Sequence, residues 1–315
     1  MRLGRRTLLG GLFAAPAIAR AQDGSASLQD LARRATIYLF PLYEMYRTRW
    51  QATVNDANPF RQSLNRFRHV PTLAGPRSRA VTTPNSDTLY SSAWLDLSQR
   101  PLFLTVPPVG DFYYSYAFLD LFTNNFAYVS RRLYGGRPPP YMIVGPAWTG
   151  DTPSDVTVVR APTNSVWLLG RLLVDGPEEL DRVSILQARV LLETPDVRNE
   201  RRVLETRELM PQRTMAPAES VADWLAPNRA NPVDLFEVGM RAMGESPLPD
   251  RDRAVLETLA PLRLRPGRKF DLRAFGEAER RAIQAGIEQG HAEIRAAAGR
   301  YGTTVGGWSY GERHL

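Results

Sequence analysis

The chain has 315 residues, no cysteine, three histidines and a formal net charge of +7. Without cysteine there is no disulfide, thiolate metal site or thiol nucleophile, so the fold must rest on its apolar core. Four cations, Arg2, Arg5, Arg6 and Arg20, precede residue 22 with no acid among them, so the remainder carries only +3, with arginines scattered among acids, and no nucleic-acid surface is expected.

Arg5 and Arg6 open the run Gly4-Arg5-Arg6-Thr7-Leu8-Leu9-Gly10, followed by an apolar stretch to Ile18 and by Ala19-Arg20-Ala21. A basic start, a short apolar segment and small residues at Ala19 and Ala21 describe a twin-arginine signal peptide over residues 1–21, cleaved after Ala21. The expectation is export to the periplasm or beyond, with the twin-arginine translocase as a passing partner. The stretch is well short of the roughly 20 apolar residues a membrane span needs. Residues 22–315 are expected to form a single domain.

Ser27-Leu28-Gln29-Asp30 places a capping serine before an acid at N3, and Leu31, Ala35, Tyr38, Leu42 and Met45 follow at helical spacing. Pro41 is expected to kink this helix or end it near Phe40. Residues 51–80 read as loop. From about 81 to 195 the period becomes two, with strands expected near 89–97, 102–106, 112–120, 126–130, 141–145, 156–160, 165–175 and 189–193. Pro177-Glu178-Glu179 should start a short helix to about Gln187. From about 230 to 300 helical signals return, at Asn231 to Met243, Pro249 to Leu259 and Glu277 to Ala298. The last carries Ile283, Ile287, His291 and Ile294 on one stripe, where His291 reads as a core residue. The expected fold is α+β and β-rich: an antiparallel, jelly-roll-like β-sandwich flanked by N-terminal and C-terminal helices.

Residues 84–148 hold 14 of the 30 aromatic residues. Period two puts Phe112, Tyr114, Tyr116, Phe118 and Asp120 on one face, which describes equally an aromatic pocket floored by a carboxylate or a core face. Asn85 and Asp87 suit an Asx turn, or an amide and a carboxylate aimed at a cleft or at a hard cation such as calcium. No other cofactor is evident. Arg171, among Trp167, Leu169 and Leu173, needs a carboxylate if buried, with Asp87, Asp96 and Asp120 as partners to examine. Gly307-Trp308-Ser309-Tyr310-Gly311 spells a nucleophile elbow but has too few residues after it to supply the acid and histidine in order.

Thr83-Pro84-Asn85-Ser86-Asp87-Thr88-Leu89-Tyr90-Ser91, Ala93-Trp94-Leu95-Asp96-Leu97-Ser98, and Tyr113-Tyr114 through Leu119-Asp120 to Thr123-Asn124 resemble the hallmark of the bacterial domain of unknown function 1254. The resemblance extends through Val144-Gly145-Pro146-Ala147-Trp148 and Arg171 to Gly176. It implies a jelly-roll-like β core with flanking helices in an exported protein, and brings no established reaction. Many relatives continue into a second domain, 1214, which implies a separate 1214-type partner or a homo-oligomer for this chain. The candidate pocket is Asn85, Asp87, Tyr90, Trp94, Tyr114, Tyr116, Asp120, Asn124 and Arg171. Two functions are expected from it: an envelope protein that binds a small molecule or docks the second domain, or a hydrolase in which Asp87, Asp120, Tyr114 and Arg171 converge.

Overall fold

The computed structural model describes residues 26–76, 78, 84–206, 225–298, 303–305 and 308–310, so the leader residues Arg5, Arg6, Ala19 and Ala21 lie outside the described part. The first element is a helix, α1 (Leu28–Thr53), and Ser27 caps it by accepting a hydrogen bond from the Asp30 N–H at 3.2 Å. Of the two outcomes expected at Pro41, ending near Phe40 does not occur: α1 runs through it for three further turns. Pro41 removes one backbone donor, but Leu39, Leu42, Tyr43 and Tyr46 around it are all buried, and that packing outweighs the lost bond.

Nine strands then build two sheets. A five-stranded antiparallel sheet has the order β1 (Arg68–Val70), β2 (Thr88–Asp96), β8 (Ser165–Leu173), β4 (Tyr114–Leu119), β5 (Asn125–Ser130). A four-stranded sheet has the order β7 (Thr157–Arg160), β6 (Tyr141–Val144), β3 (Leu102–Thr105), β9 (Leu191–Glu193). Leu89, Leu95, Tyr114, Tyr116, Phe118, Val166 and Leu168 of the first sheet share one buried cluster with Leu102, Leu104, Tyr141 and Ile143 of the second. Fully burying one large apolar side chain contributes about 1.5–3 kcal/mol, so this cluster dominates the sheet-on-sheet contact.

The expected all-antiparallel jelly roll needs correction, because β6 and β7 pair in parallel, Tyr141 opposite Thr157 through Val144 opposite Arg160. The intervening segment, residues 145–156, is long enough to carry the chain back to the same end, a return that needs about a dozen residues and that no tight hairpin allows. Short helices fill the connections: α2 (Arg131–Tyr134) after β5, a 3₁₀ turn (Pro177–Glu179) leading into α3 (Leu180–Ala188), and α4 (Pro195–Thr206), which was not expected. In α4, Arg198 pairs with Asp155 at 2.9 Å and lies over the Phe103 ring.

A helical layer covers part of the other face of the five-stranded sheet. It comprises α1, α5 (Asp234–Met243), α6 (Asp250–Thr258) and α7 (Glu277–Ala298), and its buried cluster takes in Trp94 and Leu121. Along α1 and α7 the paired positions rise together, Gln29 with Gln289 and Arg33 with Glu293, so the two helices run parallel. Gly286 and Gly290 set their separation. A Cβ at Gly290 would sit 2.7 Å from Thr36 Cβ and 2.9 Å from the Arg33 carbonyl oxygen, and one at Gly286 would collide with the Gln29 carbonyl oxygen. A final hairpin, β10 (Thr303–Val305) with β11 (Trp308–Tyr310), places Ser309 within a strand opposite Thr304 instead of at a strand-to-helix elbow.

In an open helix, alanine for glycine stabilises by about 1 kcal/mol. Here the sign reverses: Gly286→Ala is expected to lower unfolding stability in urea by about 2 kcal/mol or more, because backbone cannot yield as a side chain does. Gly75→Ala, where a Cβ meets nothing within 4 Å, serves as the neutral control.

Candidate functional site

The nine residues singled out from sequence fall into three places. Asn85, Asp87, Tyr90 and Arg171 gather at one end of the five-stranded sheet. The Tyr90 hydroxyl accepts from the Asn85 N–H at 2.8 Å, and Arg171, opposite Tyr90 in register, sits with its guanidinium 5.8 Å from the centre of that ring. Asp87 is exposed and accepts from the Thr88 hydroxyl at 2.8 Å. Arg171 is only half-buried and has no carboxylate partner among the described residues, so the ion pair expected for it is replaced by a ring contact with one solvated side.

Trp94 is buried under the helical layer, stacked on Trp167 with ring centroids 5.1 Å apart. Tyr114 and Tyr116 share the expected face, and it is the inner, core face of the sandwich. Burial pushes the Tyr114 hydroxyl up to about 12, and it donates to the Gly135 carbonyl at 3.2 Å. Tyr116 is pushed higher still by complete burial, and its hydroxyl has no hydrogen-bond partner among the described residues. Neither group can trade protons near neutral pH.

Asp120 and Asn124 lie at the opposite end. Asp120 is 3% exposed and accepts from the N–H groups of Phe122 at 2.8 Å and Asn124 at 2.9 Å, and from the Asn124 amide. It clamps the β4–β5 turn, where Thr123 takes a positive φ of 69°. Thr88 pairs with Leu173 and Leu119 with Trp167, six residues apart along β8. At about 3.3 Å per residue, Asp87 and Asp120, each one residue further out, are therefore at least about 20 Å apart. Paired carboxylates work at separations up to about 9.5 Å, so the convergent hydrolase site expected from Asp87, Asp120, Tyr114 and Arg171 does not form.

Two features escaped the sequence. One is a cleft of about 840 Å³ at the end of the sandwich, between the segment Pro108 to Tyr113, the end of β8 and α3. Phe112, Tyr113, Leu173, Ile185 and Leu186 give it an apolar wall, and Asp111, Asp175, Glu179 and Arg182 its polar groups. Tyr113 is 47% and Ile185 54% exposed. Arg182 lies over Phe112 at 5.1 Å, while Glu179 accepts from the Asp175 N–H at 3.2 Å and Asp111 pairs with Arg131 at 3.0 Å. The signal was present in Phe112 and Tyr113, which alternate to opposite faces, but the helix that completes the cleft is distant in sequence.

The other is a contact between His69 Nδ1 and Ser91 Oγ at 2.8 Å, joined by the Gln187 amide at 3.3 Å from Ser91 Oγ. Ser91 is wholly buried, so no substrate reaches its oxygen, and the trio is a polar joint inside the sandwich. Among the described residues no group of three or more His, Asp or Glu side chains is gathered to hold a metal ion. No described helix is long and apolar enough to cross a membrane.

These placements separate architecture from chemistry. Asp120→Ala is expected to cost about 2 kcal/mol of unfolding stability, because it removes the buried acceptor that holds the turn's N–H groups. Asp87→Ala, exposed, should stay within about 0.5 kcal/mol, with both read from denaturant midpoints.

The fold is similar to the crystal structure of the VPA0106 protein from Vibrio parahaemolyticus, with a TM-score of 0.65 and 21% identity over 87% of this chain. The match spans 60% of the Vibrio chain. No curated protein matches. A family profile described as protein of unknown function DUF1254 matches residues 64–194, the stretch that supplies every strand of both large sheets. Residues 64–194 of this chain are thus similar to the DUF1254 family.

Proposed function

We propose that the chain is an exported envelope protein that holds a small molecule in the sandwich-end cleft. The carrying observation is the cleft itself, whose volume of about 840 Å³ falls in the range of about 300–1,000 Å³ usual for ligand sites. Its apolar wall suits the body of an organic molecule. Its polar groups are three carboxylates against one guanidinium, so the head group is neutral or cationic. The leader motif at Arg5 and Arg6 supports the location.

A second reading, docking of a 1214-type domain or another copy of the chain, draws on the open half of the five-stranded sheet. Tyr128 faces the same side as Ala117, its register partner, and alternation puts Tyr113 there too; they are 46% and 47% exposed. An aromatic sheet face of this kind is a usual anchor for a partner.

Native mass spectrometry of protein recovered from its own host is expected to reveal a retained small-molecule adduct. Ile185→Arg, which fills the cleft mouth with a charge, should reduce adduct occupancy by about tenfold. An adduct of equal occupancy in both proteins, or none in either, overturns the reading. If docking is the function instead, Tyr128→Glu, outside the cleft, shifts a gel-filtration complex to monomer and leaves the adduct unchanged.

A further inference from the structure

A second cleft, of about 370 Å³, opens in the helical layer between α1, the start of α5 and the last turns of α7. One side is apolar, formed by Phe40, Leu235 and Ile294. The other carries Glu44, Arg229, His291 and Arg295. Part of that polar equipment is already committed. Burial opposes ionisation of Glu44, but hydrogen bonds from Arg47 and Arg229 outweigh it and hold its pKa below the usual carboxylate value. The Tyr43 hydroxyl donates to Asp234 at 3.0 Å.

Two groups remain uncommitted. Arg295 forms no ion pair among the described residues, and neither ring nitrogen of His291 has a hydrogen bond among them. They are one helical turn apart on α7 and line the same cleft, facing an apolar wall. We infer that this cleft binds a small organic carboxylate with an apolar body, its oxygens taken by Arg295 and His291 and its body lying on Phe40, Leu235 and Ile294. A planar guanidinium matches a carboxylate with two parallel hydrogen bonds. A bare inorganic anion would leave the apolar wall unused.

The electrostatics around His291 give the site a pH signature. Burial lowers its pKa below the ordinary value, Arg295 on its own helix and Arg229 before α5 push the same way, and Glu44 on α1 opposes them. The free ring is therefore neutral at neutral pH. A bound carboxylate adds the negative charge that the ring lacks and raises its pKa, so binding takes up a proton and tightens as pH falls toward 6.

The test is calorimetric titration of the full chain with benzoate and with hexanoate at pH 8 and pH 6. Saturable binding at one site, tighter at pH 6, is the expected result. Arg295→Ala, at an exposed position, should weaken it by about tenfold or more, and Arg295→Lys should restore part of the loss. His291→Gln should leave binding in place with its pH dependence flattened. Ile185→Arg, at the sandwich-end cleft, should change nothing, which keeps this site distinct from the one proposed above. No saturable binding of either acid up to about 20 mM overturns the inference. So does an affinity indifferent to Arg295→Ala in a variant whose circular dichroism is unchanged.

Discussion

The pairing of β2 with β8 is the constraint on which the molecule depends. The two strands match over their full length, from Thr88 opposite Leu173 to Asp96 opposite Ser165. One face of this ribbon supplies Leu89, Leu95, Val166 and Leu168 to the sandwich core, and the other supplies Trp94 and Trp167 to the helical layer. Because successive side chains alternate, a slip of one residue would exchange the two cores. The tryptophan stack, with its rings 9° from parallel, pins the register at the point where the helices grip the sheet. Such a pair contributes about 0.5–1.5 kcal/mol beyond the area it buries.

Polar joints then lock the layers. Arg49 on α1 is buried and makes two 2.8 Å hydrogen bonds to Glu245 just beyond α5. The Glu245 carbonyl accepts from Asn164 at 2.7 Å, and the Asn164 N–H donates to Ser246 Oγ at 2.8 Å, which ties the loop before β8 to the helices. A side chain at Gly145 would press on the Asn164 oxygen at 2.7 Å, so the same loop explains that glycine. Losing one partner of a buried ion pair costs far more than the pair itself contributes, so this joint fixes geometry more than it adds stability.

Local periodicity made much of the fold legible. The bounds of α7 and most strands follow from spacing alone, and the Ser27 cap forms as its sequence suggests. What failed depended on the far side of each element. That α1 continues past Phe40 could not be judged without α5 and α7 against it. Alternation correctly put Arg171 beside Trp167 and Leu169, but not that the helices stop short of that end of the sheet. The row ending at Asp120 was also real, yet the strand ends one residue earlier, so the carboxylate turns back to hold its own loop. His291 lies on an apolar stripe as expected, but Ile283 and Ile287 are buried while His291 borders a cleft. Both clefts are assembled from segments remote in sequence, which no window of residues can contain.

The parallel contact of α1 with α7 carries a kinetic consequence. Arg33 and Glu293 are partners across 260 positions of the chain, and Gly286 and Gly290 let α7 approach α1 closely. Helix α1 thus keeps its apolar stripe uncovered until α7 has been made. Contacts of such long range close slowly, and an uncovered stripe invites association with other chains in the interval. Helix α1 precedes the strand region and α7 follows it, so their contact closes only after both large sheets have been made.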